Sequence, residues 1–244
     1  MRFPAAAASL IACCSLLQVS GQPEIHAVTG AQVGYVSLRG TVPSRDYHST
    51  GSAISMDLWG WGTHVGGSLK MGTGDFTIET ALAYYHQWLA GPSRSSSSYH
   101  GVNHFYKTTK RGEVRMELDH VELPVFVHVK IRTGLDLLAG FAPWWFLDAS
   151  FEDIGVTEIS GANFLGDEFH SLVPYENHSD GAASYSEFGV SGCGGISATL
   201  HKHFSLSATY RRSITPMHSA GEPYRGSLGI LRLGIGYVFH ESQR

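Results

Sequence analysis

LGILRLGIGYVF, residues Leu228–Phe239, is the stretch that decides the fold. From Leu231 onward, apolar or aromatic residues occupy every second position, and Arg232, two glycines and a valine lie between them. A period of two indicates a β-strand with two unlike faces. An aliphatic stripe that ends in Tyr237 and Phe239 is typical of a strand that faces lipid, and small or polar residues suit a narrow lumen. An edge strand of a soluble β-sandwich stays possible for this segment alone.

A second run, Glu122–Arg132, shows the same alternation. Its apolar face is purely aliphatic and consists of Leu123, Val125, Val127, Val129 and Ile131. The opposite face carries four ionisable groups, namely Glu122, His128, Lys130 and Arg132. A half-exposed strand of a soluble protein has this pattern too, so the run predicts a strand without deciding its surroundings.

About eight such runs follow one another, and the connections between them alternate between long and short. Long loops are predicted at about 40–60, 89–112, 149–184 and 213–225. Transmembrane barrels combine an even strand number with short turns on one side and long loops on the other. The predicted fold is therefore all-β: an eight-stranded antiparallel up-and-down transmembrane β-barrel that comprises residues 22–244.

The N-terminus predicts export. Arg2, an apolar stretch and the small residues before Gln22 together indicate a cleaved signal peptide over residues 1–21. The alternative is a lipoprotein cleavage box ending at Cys13. Signal cleavage leaves Cys193 as the one remaining cysteine, so no internal disulfide is expected. The predicted location is the cell outer membrane.

Composition excludes some classes of function. The formal net charge is −4 and no basic block occurs, which argues against binding to nucleic acid. The 14 histidines are scattered, without an HExxH or a paired CxxC motif, so no metal site and no cofactor are predicted.

Four segments resemble bacterial outer-membrane β-barrel proteins, most closely the PorT-like family of small barrels. They are Glu122-Leu123-Pro124, Gly140-Phe141-Ala142-Pro143, the Gly-rich Phe188–Ile196 and Leu233–Phe239. The resemblance covers nearly the whole mature chain. It implies that the barrel-insertion machinery reads the C-terminal aromatic residue during assembly, although five residues follow Phe239 here. One member of the family is tied to protein secretion, and that role is not carried over.

The strand pattern places two sets of side chains. Two girdles of aromatic residues are expected at the membrane interfaces: Trp61, Phe76, Trp88, Trp145, Tyr185, Phe204, Tyr237 and Phe239. A polar network of both charge signs is expected in the lumen: Lys70, Glu79, Glu122, His128, Lys130, Arg132, Asp136, Glu187, Arg211 and Arg232. An eight-stranded barrel is just wide enough for its own side chains, so this network predicts a plug. A narrow path for ions or small solutes is the alternative.

A lipid-modifying outer-membrane enzyme is the second alternative. Such an enzyme would need a serine, a histidine and an acid, and His203, Ser205 and Glu222 are the candidates. The predicted topology places His203 at an inner turn and Glu222 in an outer loop, so the three do not meet. No catalysis is therefore predicted.

The predicted function is structural, surface-binding or secretion-associated. The expected partners are outer-membrane lipid, the barrel-insertion machinery during assembly and an unidentified envelope or secretion partner. Mixed aromatic and polar residues in the outer loops are the place where ligand binding would reside.

Overall fold

The computed structural model describes residues 24–42, 49–73, 75–100, 105–162, 166–180, 188–201, 203–215 and 224–240. The predicted signal peptide, Tyr185, Glu187 and Glu222 lie outside these residues. The described part of the chain is all-β. No helix within it is long and apolar enough to cross a membrane.

Ten strands occur along the described residues. They are β1 (Glu24–Val42), β2 (Ser49–Thr73), β3 (Phe76–His100), β4 (Phe105–Glu122), β5 (Val125–Arg132), β6 (Leu135–Ala162), β7 (Glu168–Asp180), β8 (Phe188–His201), β9 (Phe204–Ser213) and β10 (Tyr224–His240).

The strands close into a ring. β1 pairs with β10 on one side and with β2 on the other, and the antiparallel ladder continues through β3, β4, β6, β8 and β9 back to β10. β4 and β5 both lie between β3 and β6, so they form two segments of one barrel strand. The ring therefore has eight strand positions, and the prediction of an eight-stranded antiparallel up-and-down barrel is confirmed.

The break between β4 and β5 occurs at Leu123-Pro124. Proline has no backbone N–H, so it cannot donate to a neighbouring strand. The ladder is nevertheless maintained, because Ala81 N donates to the carbonyl oxygen of Pro124 at 3.0 Å and Leu123 N donates to that of Pro143 at 2.9 Å.

The two ends of the barrel differ. β2–β3, β5–β6 and β8–β9 are joined by tight turns at one end, which is called the turn side below, and β1 begins and β10 ends there. Gly134 occupies the second of these turns with a φ of 77°, a conformation that glycine adopts without strain. At the opposite end, called the loop side, strands continue well past the apolar part of the barrel.

The loop side differs from the sequence-based loop bounds. β2 begins at Ser49, β3 continues to His100 and β6 continues to Ala162, so strands occupy much of the predicted loops 40–60, 89–112 and 149–184. β7 lies wholly within the third of these ranges and pairs with β6. The serine run of β3 is polar, and the apolar residues of the β6 extension and of β7 are few and irregularly spaced, so these segments lack the sustained alternation that would indicate a strand.

The outer surface of the ring carries a broad apolar belt. Its most exposed members include Trp59, Trp61, Phe76, Leu82, Leu233 and Phe239, each with 57–66% of its surface exposed. A transmembrane β-strand needs about 9–11 residues, and the outward stripe of β10 runs from Leu231 to Phe239. In water, exposure of each large aliphatic side chain would cost roughly 1.5–3 kcal/mol relative to burial. The belt thus favours a lipid environment.

Candidate functional site in the barrel lumen

The inward-facing residues divide the lumen into three layers. An apolar cluster fills the loop side, a layer of buried polar groups lies in the middle, and an open cavity occupies the turn side. We call these the upper plug, the polar layer and the lower cavity.

The upper plug is built from inward side chains of six barrel strands, β1, β2, β3, β4, β6 and β10. It consists of Val36, Leu58, Leu89, Val114, Met116, Leu118, Trp144, Phe146, Ala149, Leu228 and Ile230, all of them buried. Trp144 has no exposed surface, and its ring lies 4.7 Å from that of Phe146. These buried apolar side chains form one packed cluster on the loop side of the lumen.

The polar layer centres on Tyr85, which is fully buried on β3. Its ring stacks between two histidines, with centroid distances of 5.4 Å to His64 and 4.9 Å to His120. Its hydroxyl oxygen accepts hydrogen bonds from Arg211 at 2.9 Å and from Arg232. The phenol therefore joins two cations that belong to neighbouring strands on the far side of the ring.

The two arginines of the polar layer have different partners. Arg211 forms a buried ion pair with Glu122, whose side chain is 1% exposed. Arg232 donates through Nε to the hydroxyl of Thr209 at 3.2 Å, and no carboxylate among the described residues pairs with it. The positive charge of Arg211 is thus compensated by the carboxylate of Glu122. By contrast, Arg232 donates only to the neutral hydroxyl oxygens of Thr209 and Tyr85 among the described residues.

The lower cavity has a volume of about 810 Å³ and opens toward the turns. One wall holds a chain of charged groups. His128 Nε2 lies 2.7 Å from Glu79 Oε2, His128 Nδ1 lies 3.4 Å from Asp136 Oδ2, and Lys70 Nζ donates to the same Asp136 oxygen at 3.0 Å. Four barrel strands are linked in this way.

The opposite wall is neutral and rich in hydroxyl groups. Its members lie on β8 and β9 and are Ser197, Thr199, Ser205, Ser207 and Thr209. Arg232 on β10 lines the deep part of the cavity beside them. The cavity thus has a charged wall whose groups pair with one another and a hydroxyl wall that ends at a buried cation.

Most of the predicted lumen residues lie in these two inner layers. Glu122, Arg211 and Arg232 belong to the polar layer, and Lys70, Glu79, His128, Lys130 and Asp136 line the lower cavity. Arg132 stands apart, since it is exposed at the end of β5, where the register shifts between Lys130 and Arg132. Glu187 lies outside the described residues.

The predicted interface aromatics pair with one another on the outer surface. Trp61 and Trp88 have ring centroids 4.6 Å apart near the loop side, and Trp145 lies 5.2 Å from Phe188. Near the turn side, Tyr237 lies 5.3 Å from Phe204 and 5.1 Å from Phe239, and Phe76 is exposed. Tyr185 lies outside the described residues.

Two residues of the enzymatic alternative, His203 and Ser205, face different sides of the barrel wall. The ring of His203 stacks on Tyr237, an outward residue, at 5.9 Å, whereas Ser205 lines the lower cavity. Glu222 lies outside the described residues. Cys193 is a free, partly buried thiol, with Sγ 3.8 Å from the carbonyl oxygen of Ser191.

Sequence reasoning did not identify three important groups, namely Tyr85, the histidines that stack on it and the tryptophan of the upper plug. The alternation signal was available for Tyr85 and Trp144, because each precedes an outward residue of its strand. The sequence carries no signal for the contacts of these residues, because Tyr85 and Arg211 are 126 positions apart and meet only when the ring closes.

Comparison with known proteins gives structural similarity only. No family model matches the sequence, and no curated protein matches it. Solved structures similar to this chain include Ail, the attachment invasion locus protein of Yersinia pestis (10% identity, 87% of this chain and 99% of that chain covered, TM-score 0.35). Neisserial surface protein A (NspA) gives 12% identity over 88% and 97%, with a TM-score of 0.34. The outer membrane protein OprG from Pseudomonas aeruginosa gives 14% identity over 92% and 99%, with a TM-score of 0.29. The assignment of this chain to an antiparallel β-barrel fold rests on its own closed ring of strands and on its apolar outer belt.

Proposed function

We propose that this chain is an integral outer-membrane β-barrel that does not conduct and does not catalyse, and that displays a binding surface on its loop side. The observation that carries the proposal is the combination of an apolar outer belt with a lumen closed by the upper plug. The apolar belt favours a lipid environment around the barrel. Because the upper plug would block transport through the lumen, we propose that the loop side acts by binding a partner at its surface.

The location follows from the physics of a strand in lipid. Every backbone group in hydrocarbon must have an internal partner, and a closed antiparallel ring provides one for each strand. Small barrels with short turns on one side and long extensions on the other are typical of bacterial outer membranes, with the turns on the periplasmic side. The predicted signal peptide is consistent with export. Membership of the PorT-like family stays a prediction.

The upper plug supports the proposed absence of conduction. Leu58, Leu118 and Trp144 have no exposed surface, and they lie above a polar layer whose members Tyr85 and His120 are equally buried. A solute that entered from the turns would have to displace both layers. The narrow-channel alternative would require an open bore at this level.

The binding surface is a sheet that extends beyond the belt. β7 forms its outer edge, because among the described residues it pairs with β6 alone. Leu172 and Val173 are exposed on it, at 61% and 46%. A strand at the edge of the described sheet with exposed apolar side chains is suited to pairing with an extended segment of a partner. Pro174 in the same strand limits such pairing, as edge prolines do in natural sheets.

Cysteine labelling tests the placement and the topology. In a Cys193→Ser background, Ser171→Cys on β7 should react with a membrane-impermeant maleimide on intact cells, and Lys130→Cys should react only after permeabilisation. The purified protein should also migrate differently on gels with and without heating. Solubility without detergent, or the reverse labelling pattern, would contradict the proposal.

Planar-bilayer recording tests the absence of conduction. The folded barrel should add no ionic current above the membrane background. Reproducible channel steps from the unmodified protein would favour the channel instead. A change in lipid A that depends on Ser205 would favour the enzyme.

A further inference from the structure

We propose that the lower cavity is a binding site for a small oxyanion, a carboxylate or a phosphate group, which Arg232 anchors from the deep end. The site is distinct from the loop-side surface, so the two proposals can fail separately.

The first support is the unusual state of Arg232. Its residue surface is 6% exposed, it lines the cavity, and its described partners are the neutral oxygens of Thr209 and Tyr85. A guanidinium has five N–H donors in a planar fork that matches a carboxylate or a phosphate. A buried charge is costly unless it is paired, so a cation in this position favours an anion from outside the chain.

The second support is that three of the four acidic groups that line the cavity contact basic side chains, and the fourth, Asp75, lies in the β2–β3 turn at the open end. Glu79 contacts His128, and Asp136 accepts from Lys70 and contacts the same histidine. Glu24 lies 3.5 Å from His26 at the rim. These carboxylates belong to the charged wall, and none of them pairs with Arg232 among the described residues.

The third support is the form of the hydroxyl wall. Ser205 and Ser207 face positions where β10 carries glycine: a Cβ at Gly236 would lie 2.5 Å from the Ser205 hydroxyl, and one at Gly234 would lie 2.8 Å from that of Ser207. The glycines therefore leave both hydroxyls uncovered. Thr209 contacts the guanidinium of Arg232, and Ser207 and Ser205 follow it along β9 toward the turn side. These hydroxyl groups are suited to donating to the oxygen atoms of an anion on its way to Arg232.

The volume fits a small solute. About 810 Å³ lies within the range of ligand pockets in proteins. Because the upper plug and the polar layer close the lumen above Arg232, the ligand would enter and leave on the turn side.

Nuclear magnetic resonance of the full barrel in detergent micelles tests the site. The Arg232 Nε–Hε signal is followed while inorganic phosphate, and separately acetate, replaces chloride at constant ionic strength. A saturable shift with phosphate identifies a phosphate site, and a saturable shift with acetate identifies a carboxylate site. If neither anion gives a saturable shift when it replaces chloride, the proposal is overturned.

Two variants complete the test, with binding followed through the amide signals of Ser205 and Ser207. Arg232→Gln should weaken binding about tenfold or more, a loss of about one charge-assisted contact. The control, Arg212→Gln, removes the same charge from the neighbouring strand, where the side chain is exposed outside the cavity, and should change affinity less than about twofold. Equal affinity in Arg232→Gln and the unmodified chain would contradict the assignment.

A further measurement keeps Arg232 intact, in case its replacement prevents folding. In a Cys193→Ser background, Ser205→Cys should react with a small charged thiol reagent, and the anion that binds should slow that reaction. Unchanged labelling at saturating phosphate and acetate would reject the site.

Discussion

Glu79 and His128 lie on neighbouring strands of the barrel wall, with Oε2 of the carboxylate 2.7 Å from Nε2 of the ring. His128 is 3% exposed and also approaches Asp136, so it joins two carboxylates on the charged wall of the lower cavity. Removal of the histidine would leave two acidic groups close together without their common partner.

We therefore expect His128→Ala to lower the free energy of unfolding by about 1–3 kcal/mol, the usual cost of leaving buried polar groups unsatisfied. Urea unfolding in lipid vesicles, followed by tryptophan fluorescence, measures it. His170→Ala is the matched control, because His170 pairs with Glu158 at 3.1 Å on exposed strands. Its effect should stay within about 0.5 kcal/mol. Equal losses in the two variants would mean that the lumen contact adds nothing.

Val127 immediately precedes His128 and faces the opposite way, at 43% exposure on the outer belt. Val127→Arg should hinder membrane insertion by roughly 2–4 kcal/mol, the cost of a charge near the middle of the bilayer. The heat-modifiable fraction after refolding into vesicles measures the effect. His128→Ala should reduce insertion less. Similar effects of the two changes would indicate that the faces of β5 are reversed.

The upper plug predicts a gain of function. The double variant Leu118→Ala and Trp144→Ala removes two large side chains from the plug and should give measurable current in planar bilayers. Truncations of this kind also destabilise, by about 2–5 kcal/mol each, so current is recorded from the folded fraction.

The control for the plug is the neighbouring tryptophan. Trp145 lies outside beside Phe188, and Trp145→Ala should leave the barrel silent. Silence of the double variant as well would show that the polar layer alone blocks the lumen.

Asp57 lies just beyond the belt on the loop side and predicts a pH effect. Its Oδ1 accepts hydrogen bonds from Tyr35 and Ser37, each at 2.8 Å, and Arg39 lies 3.5 Å from Oδ2. The hydrogen bond from Tyr35, then that from Ser37, and finally the charge of Arg39 hold the pKa of Asp57 below its ordinary value of 3.8. The ionised form is thus favoured in the folded protein.

Because this pKa is depressed, its contribution to stability is fully present above pH 3.8 and is lost as the pH falls through the lower folded-state value. Tyr35→Phe should raise the pKa of Asp57 toward 3.8, as measured by the carboxyl carbon shift during titration. An unchanged pKa of Asp57 would contradict the assigned role of Tyr35.

Strict alternation accounts for what the sequence predicts well. The opposite faces of Val127 and His128, and of Leu231 and Arg232, follow from a period of two once one face is assigned to lipid. The tight turn at Gly134 follows in the same way from its local composition. These features depend on residues that are adjacent in the chain, so they can be predicted from a single sequence.

Other features depend on chain closure or on water. The serine run within β3 predicts a loop, yet it pairs with β2 and β4 as part of a strand that water surrounds, where side chains give no apolar signal. The contact of Arg211 with Tyr85 depends on which strands meet across the lumen. Backbone pairing and ring closure determine such contacts, and a local sequence pattern predicts neither of them.

The proposed upper plug would leave the lower cavity one opening, and this has a kinetic consequence. A solute that enters from the turn side leaves by the same route, so the barrel reaches equilibrium occupancy and carries no net flux. Occupancy then depends on the solute concentration at that face alone and is independent of the concentration across the membrane. A chamber of this kind would buffer a solute in proportion to the number of barrels, and its filling would not respond to a concentration gradient.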